Sequence, residues 1–247
     1  MNFSDMFANL FTAQGLISLL TLSFLEIILG VDNIIFIAII ADKLPASQRG
    51  QARTTGLLLA VVIRIALLFT LSYLSNQETA LFSIAGHGIT LRDLIFMAGG
   101  IFLLYKTGGE IIEKINGEDA EHKSSIKKIS VTNIIIQIIL IDIVFSFDSI
   151  LTALVVSKNL IIMATAVIAA MAVMILFSGA VSGFINRNPR IKMLALTFLL
   201  VIALLLIFDS IKTFTGFEIE KSYVYAALGF SLVVELLNMW EQKKSGK

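Results

Sequence analysis

The chain has 247 residues, 57% of them hydrophobic and only 15% charged, with a net charge of +1 and a mean hydropathy of +0.91. A soluble domain of this size carries more charge, so the composition points to a membrane protein, and the near-zero net charge gives no sign of a nucleic-acid partner. The lack of cysteine excludes disulfides, iron–sulfur clusters and thiolate metal sites, and leaves oxygen ligands for any metal chemistry.

The opening MNFSDMFANLFTAQG puts no basic residue before its apolar run and offers no small-residue cleavage site, so it reads as a mature start and not as a signal peptide. Apolar runs long enough to cross a bilayer then follow near 14–41, 54–75, 90–108, 131–157, 160–184, 191–211 and 222–240. The turns carry Asp42-Lys43-Leu44-Pro45, Gly86-His87-Gly88 and Asn186-Arg187-Asn188-Pro189; only Ser157, Lys158 and Asn159 separate the fourth run from the fifth. His87 and His122 both fall in predicted loops. With the N-terminus outside, the inner loops hold thirteen basic residues and the outer ones four, Arg92, Lys158, Lys212 and Lys221. The positive-inside rule therefore sets the orientation as N-out and C-in. The one sizeable loop, 109–130, has mixed charge and reads as a cytoplasmic linker; its acids and His122 are read as solvated and not as a metal sensor.

Four acids lie inside the apolar runs and recur in register. LEIILGVDNIIFIAII (25–40) aligns with IDIVFSFDSILTALVV (141–156), placing Glu26 on Asp142 and Asp32 on Asp148, 116 positions apart with the same internal spacing of six. An ionised carboxylate at bilayer depth costs roughly 2.5–3.5 kcal/mol on insertion scales, so such residues mark ion pathways far more often than packing. The match pairs the first span with the fourth. It implies a single membrane domain over 1–247, with one three-helix repeat at 14–108, a second at 131–211 in inverted orientation, and an extra helix at 222–240. The fold expected is thus all-α, with seven transmembrane helices.

Six residues of α-helix rise ~9 Å and turn about 120° short of registry. Glu26 and Asp32 therefore cannot grip one ion from an unbroken helix. Either the helix unwinds near Gly30, freeing carbonyls, or the acids are successive stations along a path. Asn33 and Ser149 follow the second acid of each pair and add neutral oxygen donors, while Ser146 takes the place of Gly30. Arg64, central in the second span, needs a partner: it pairs with one carboxylate or stands in for the cation when the site is empty. An all-oxygen site suits Mn²⁺, Ca²⁺ or Mg²⁺ better than Zn²⁺ or Cu⁺. Asp93, Asp209 and Glu235 lie nearer span ends and read as structural or interfacial. The Gly179–Gly183 spacing beside Ser178 and Ser182, and the Gly99-Gly100 pair, read as helix-packing faces.

At FLEIILGVDNIIF (24–36), Arg64 and DIVFSFDSILTA (142–153), the chain resembles the TerC family of integral membrane proteins, of the lysine-exporter superfamily, along nearly its whole length. The resemblance implies repeated three-helix units, a bacterial inner-membrane location, and an association with manganese export, with tellurium resistance or with membrane-protein assembly. It nominates Glu26, Asp32, Asn33, Asp142 and Asp148 as metal-pathway positions, with Ser149 beside them. The tellurite link follows from no chemistry in these residues.

The leading expectation is a proton-coupled divalent-cation exporter, Mn²⁺ foremost, needing no cofactor and partnered by the cation, protons and membrane lipid. An assembly factor with a structural cation is the alternative. An intramembrane aspartyl protease is disfavoured, because Gly30-Val31-Asp32 lacks the first glycine of the Gly-x-Gly-Asp pattern such enzymes need. No catalytic residue is expected.

Overall fold

A computed structural model describes residues 3–74, 81–84, 87–116, 130–216 and 219–244. Seven of its helices are long and apolar enough to cross a membrane. In chain order the elements are α1 (Phe3–Leu10), α2 (Ala13–Ala41), α3 (Ala46–Leu74), β1 (Phe82–Ile84), β2 (His87–Ile89), α4 (Leu91–Ile115), α5 (Val131–Val156), α6 (Leu160–Arg187), α7 (Pro189–Thr215) and α8 (Lys221–Lys244).

Helix ends follow local chemistry more than hydropathy. Thr12 caps α2 by accepting the Gly15 N–H at 3.0 Å. The second span is expected from 54, yet α3 begins at Ala46, directly after Pro45, because Ser47, Gln48, Arg49 and Gln51 continue the helix outside the apolar stretch. Asn159 closes the short junction after α5: its Oδ1 accepts from Ile161 N at 3.0 Å, and its Nδ2 donates to Met6 O at 2.9 Å. Thr90 and Asp93 form a reciprocal capping box at the start of α4, which gives Asp93 a structural task. Of the linker expected at 109–130, residues to Ile115 continue α4, and 117–129 with His122 lie outside the described residues. The turn expected around His87 is a short antiparallel hairpin, Phe82 pairing with Ile89 and Ile84 with His87. Two three-residue strands are too brief to show a period, and Gly86 and Gly88 mask them as loop.

The helices fall into two compact units, one of residues 1–79 with 128–183, the other of 80–127 with 184–247. In the first, α3 lies against α5 and α2 against both. Gly56 permits the α3–α5 approach, since a Cβ there would meet Ile138 Cδ1 at 2.8 Å. Gly30 does the same for α2 and α6: a Cβ would lie 2.5 Å from Met174 Sδ. In the second, α4 runs along α7, and Gly100 admits the backbone of the facing helix, since a Cβ there would lie 2.9 Å from Ala203 O. Gly99 and Gly100 are thus buried in a helix contact, as expected.

The face at 178–183 differs from expectation. Ser178 and Ser182 are buried, whereas Gly179 and Gly183 point outward and a Cβ on Gly183 would meet nothing. Burial on α6 follows Met171, Met174, Ser178, Ser182 and Ile185, a helical stripe that leaves the glycines off it. The outward side chains of the spans are large and apolar, among them Val62, Phe69, Leu176 and Phe177, a surface suited to hydrocarbon and not to water. The apolar span of α8 has no buried residue; it touches α7, where Tyr225 meets Phe198 with ring centroids 6.1 Å apart.

Candidate functional site

Three buried stripes meet in the first unit. On α2 the stripe is Leu22, Glu26, Gly30 and Asn33; on α5 it is Ile138, Asp142, Ser146 and Ser149; on α3 it is Leu57, Ala60, Arg64, Leu68 and Leu71. Spacings of three and four keep each set on one side of its helix. The stripes of α2 and α5 correspond position for position at the 116-residue offset: Glu26 with Asp142, Gly30 with Ser146, Asn33 with Ser149.

Arg64 stands where they converge. Its Nη1 donates to Glu26 Oε2 at 2.6 Å, and its Nη2 donates to Asp142 Oδ1 at 2.9 Å. All three side chains are at most 2% exposed. Arg64 therefore pairs with two carboxylates from two helices, where sequence reasoning expects one. The planar fork of a guanidinium makes this division possible, one donor nitrogen to each acid. Ser146 Oγ donates to Asp142 Oδ2 at 3.0 Å, so both oxygens of Asp142 are engaged. Ser149 Oγ donates to Ser146 O at 3.3 Å and neighbours the Glu26 carboxylate.

Three buried polar atoms here have no partner among the described residues: Glu26 Oε1, Asn33 Oδ1 and Arg64 Nε. Buried polar atoms are normally satisfied, so each open position calls for an explanation; a cation would supply one for the two oxygens but not for the Nε–H donor. With both acids ionised the group carries one negative charge in excess.

The second acid of each pair stands apart. Asp148 is half-buried, about 120° round α5 from Asp142. The side chain of Asp32 lies outside the described residues. The helix α2 continues through Gly30 without a break, so the unwinding considered for that position does not occur here, and no backbone carbonyl is freed. Among the described residues no three Asp, Glu or His side chains group closely enough to hold a metal. The structure thus gathers Glu26, Asp142, Ser149 and Arg64, puts Asn33 two turns along the Glu26 face, and leaves Asp148 off that face. Sequence reasoning takes Ser146 only as a small residue. Its place four positions after Asp142 and three before Ser149 is the available signal that its hydroxyl faces the acids.

The acids assigned to structural or interfacial positions stay outside this group. Asp209 Oδ2 lies 3.8 Å from Arg92 Nη2, and Glu235 sits on the little-buried α8 with its Oε1 unpartnered among the described residues.

Comparison with known proteins covers nearly the whole chain. The model of the integral membrane protein TerC family matches residues 11–245. The "UPF0053 inner membrane protein YgdQ" of Escherichia coli is 40% identical over 240 residues, covering 97% of this chain and 99% of the relative. A "UPF0053 protein" of Haemophilus influenzae is 41% identical over 234 residues, covering 95% and 97%. The "UPF0053 inner membrane protein YoaE" of Escherichia coli is 42% identical over 220 residues, 89% of this chain but 42% of that longer protein. No solved structure matches. The chain is a multi-pass protein of the bacterial inner membrane, and it belongs to the TerC family of integral membrane proteins.

Proposed function

We propose that the chain exports divalent metal cations, Mn²⁺ foremost, in exchange for protons, and that it is not an enzyme. The observation that carries this reading is the convergence of Glu26 and Asp142, from two different spans, at one buried point where Glu26 Oε1 lacks a partner among the described residues. Oxygen donors alone suit a hard divalent ion.

The path follows from topology. The first and fourth of seven spans cross in opposite senses, and N-out orientation puts Asn33 and Asp32 on the cytoplasmic side of Glu26. Asp148 and Ser149 then lie on the outer side of Asp142. Each pair is six or seven residues from the central acids, ~9–10 Å along its helix. The donors form an inner, a central and an outer station, related by the two inverted three-helix repeats (14–108 and 131–211) with the helix at 222–240 outside them. An ion steps between stations, and protons taken up by the vacated carboxylates return the charge.

A second reading is a membrane-protein assembly factor with a structural ion. It is favoured by the engagement of both acids with Arg64, which already makes a cross-helix brace. Flux of a panel of divalent ions into proteoliposomes, with and without a pH gradient, separates the two. An exporter moves Mn²⁺ and responds to the gradient, whereas an assembly factor moves no ion under either condition.

A further inference from the structure

We infer that Arg64 is a tethered cation that competes with the cargo for Glu26 and Asp142, and so determines which ions the site accepts. The inference rests on the reading of that acid pair as a cation site. The guanidinium lies between the two carboxylates, at 2.6 and 2.9 Å, in the place a bridging ion would take. Its two terminal nitrogens are held; Nε has no partner among the described residues, so no hydrogen bond from the stem fixes the arm in this pose.

Charge makes the two occupants exclusive. Two carboxylates and Arg64 sum to one negative charge. Adding a divalent ion beside the bound guanidinium sets two cations against each other on the same two carboxylates, whereas exchanging the guanidinium for the divalent ion leaves the acids balanced and the two cations apart. A monovalent ion that displaced Arg64 would restore no balance and would forfeit two charge-assisted hydrogen bonds. The tether therefore acts as a threshold: only an ion with twice the charge gains by displacing it. Once displaced, the arm remains at high effective concentration beside the site and can expel the ion on its way out. One arginine serves both acids, because the position matching Arg64 at the 116-residue offset is Ala180, exposed on α6.

The test is Mn²⁺ titration of purified full-length protein, read by loss of the free-ion electron spin resonance signal, for the wild type, Arg64→Ala and Arg64→Lys. Competition is role-specific here, so Na⁺ and free guanidinium ion at sub-denaturing concentration are added as challengers. Arg64→Ala is expected to bind Mn²⁺ at least about tenfold more tightly than the wild type. Guanidinium ion and Na⁺ should weaken that binding in Arg64→Ala far more than in the wild type. Arg64→Lys keeps the charge but cannot span both acids, so it should fall between them, and it decides the matter if the alanine variant does not fold. Binding seen only in the variants would equally support the competition. Unchanged or weaker affinity in the folded variants, with the wild type binding Mn²⁺, would overturn the role of Arg64 and leave the cation site standing. No Mn²⁺ binding by any of the three would overturn both.

Discussion

The two compact units handle their acids in opposite ways. In the α4/α7 unit the described acids stay near helix ends or half-exposed positions: Asp93 closes a capping box and Asp209 pairs with Arg92 at 3.8 Å. Its α4–α7 contact sets Gly100 against Ala203 and Ile207, beside the buried Gly99 and Leu103. In the α2/α3/α5 unit, Glu26, Arg64 and Asp142 occupy the middle of the packed stripes, where leucine or alanine would be less costly. Among the described residues, the α4/α7 unit packs its membrane helices without a fully buried charged residue. The buried charges of the other unit are the ones the proposed cation site accounts for.

The largest expected effect exploits that contrast. Asp142→Asn should reduce Mn²⁺ flux in proteoliposomes to the level of empty vesicles, with membrane abundance near normal, since Arg64 and Glu26 remain a balanced pair. Asp93→Asn should leave flux intact, at a cost of about 1 kcal/mol or less for the altered cap. Asp32→Asn and Asp148→Asn should also abolish flux without loss of protein. Depletion of these variants from the membrane would indicate a structural duty instead.

Stability comes next. Arg64→Ala leaves two buried carboxylates without their cation and should cost about 3–5 kcal/mol in metal-free protein. Thermal unfolding in detergent measures it, and Mn²⁺ should restore more of the loss in this variant than it adds to the wild type.

A smaller contrast separates two glycines. Gly100→Ala drives a methyl toward Ala203 O and Ile207 N, which are backbone atoms that cannot turn aside, and should cost about 1–3 kcal/mol. Gly30→Ala meets only the far end of the Met174 side chain, a flexible thioether, and should cost less than about 1.5 kcal/mol. Equal losses in thermal unfolding would mean that the α2–α6 contact is as rigid as the α4–α7 one. The smallest effect belongs to Arg92→Ala. Its half-exposed pair with Asp209 should be worth about 1 kcal/mol or less, with flux unchanged.

Much of this is legible in the sequence, for a plain reason. An apolar run of eighteen residues is a strong signal, and a charge inside it is stronger still, so the spans and Glu26, Asp142 and Arg64 stand out at once. Helix ends are less visible: α3 runs eight residues before its apolar run because hydrogen bonding, not hydropathy, decides where a helix stops. The dual partnership of Arg64 is hidden because its acids lie 38 and 78 positions away, beyond any local pattern. Gly179 and Gly183 mislead because glycine spacing alone does not say which side of α6 it faces. The i, i+4, i+7 set of Asp142, Ser146 and Ser149 is available from periodicity alone, but the repeat of acids at a spacing of six draws the eye to Asp148, which lies off that face.

Anomalous diffraction at the manganese absorption edge, from crystals of the protein grown with Mn²⁺, tests the cation site most directly. A peak bound by carboxylate oxygens of both Glu26 and Asp142 is expected, and it should vanish in Asp142→Asn. Manganese bound elsewhere, with Arg64 still bridging the two acids and flux intact, would contradict the assignment of transport to this pair.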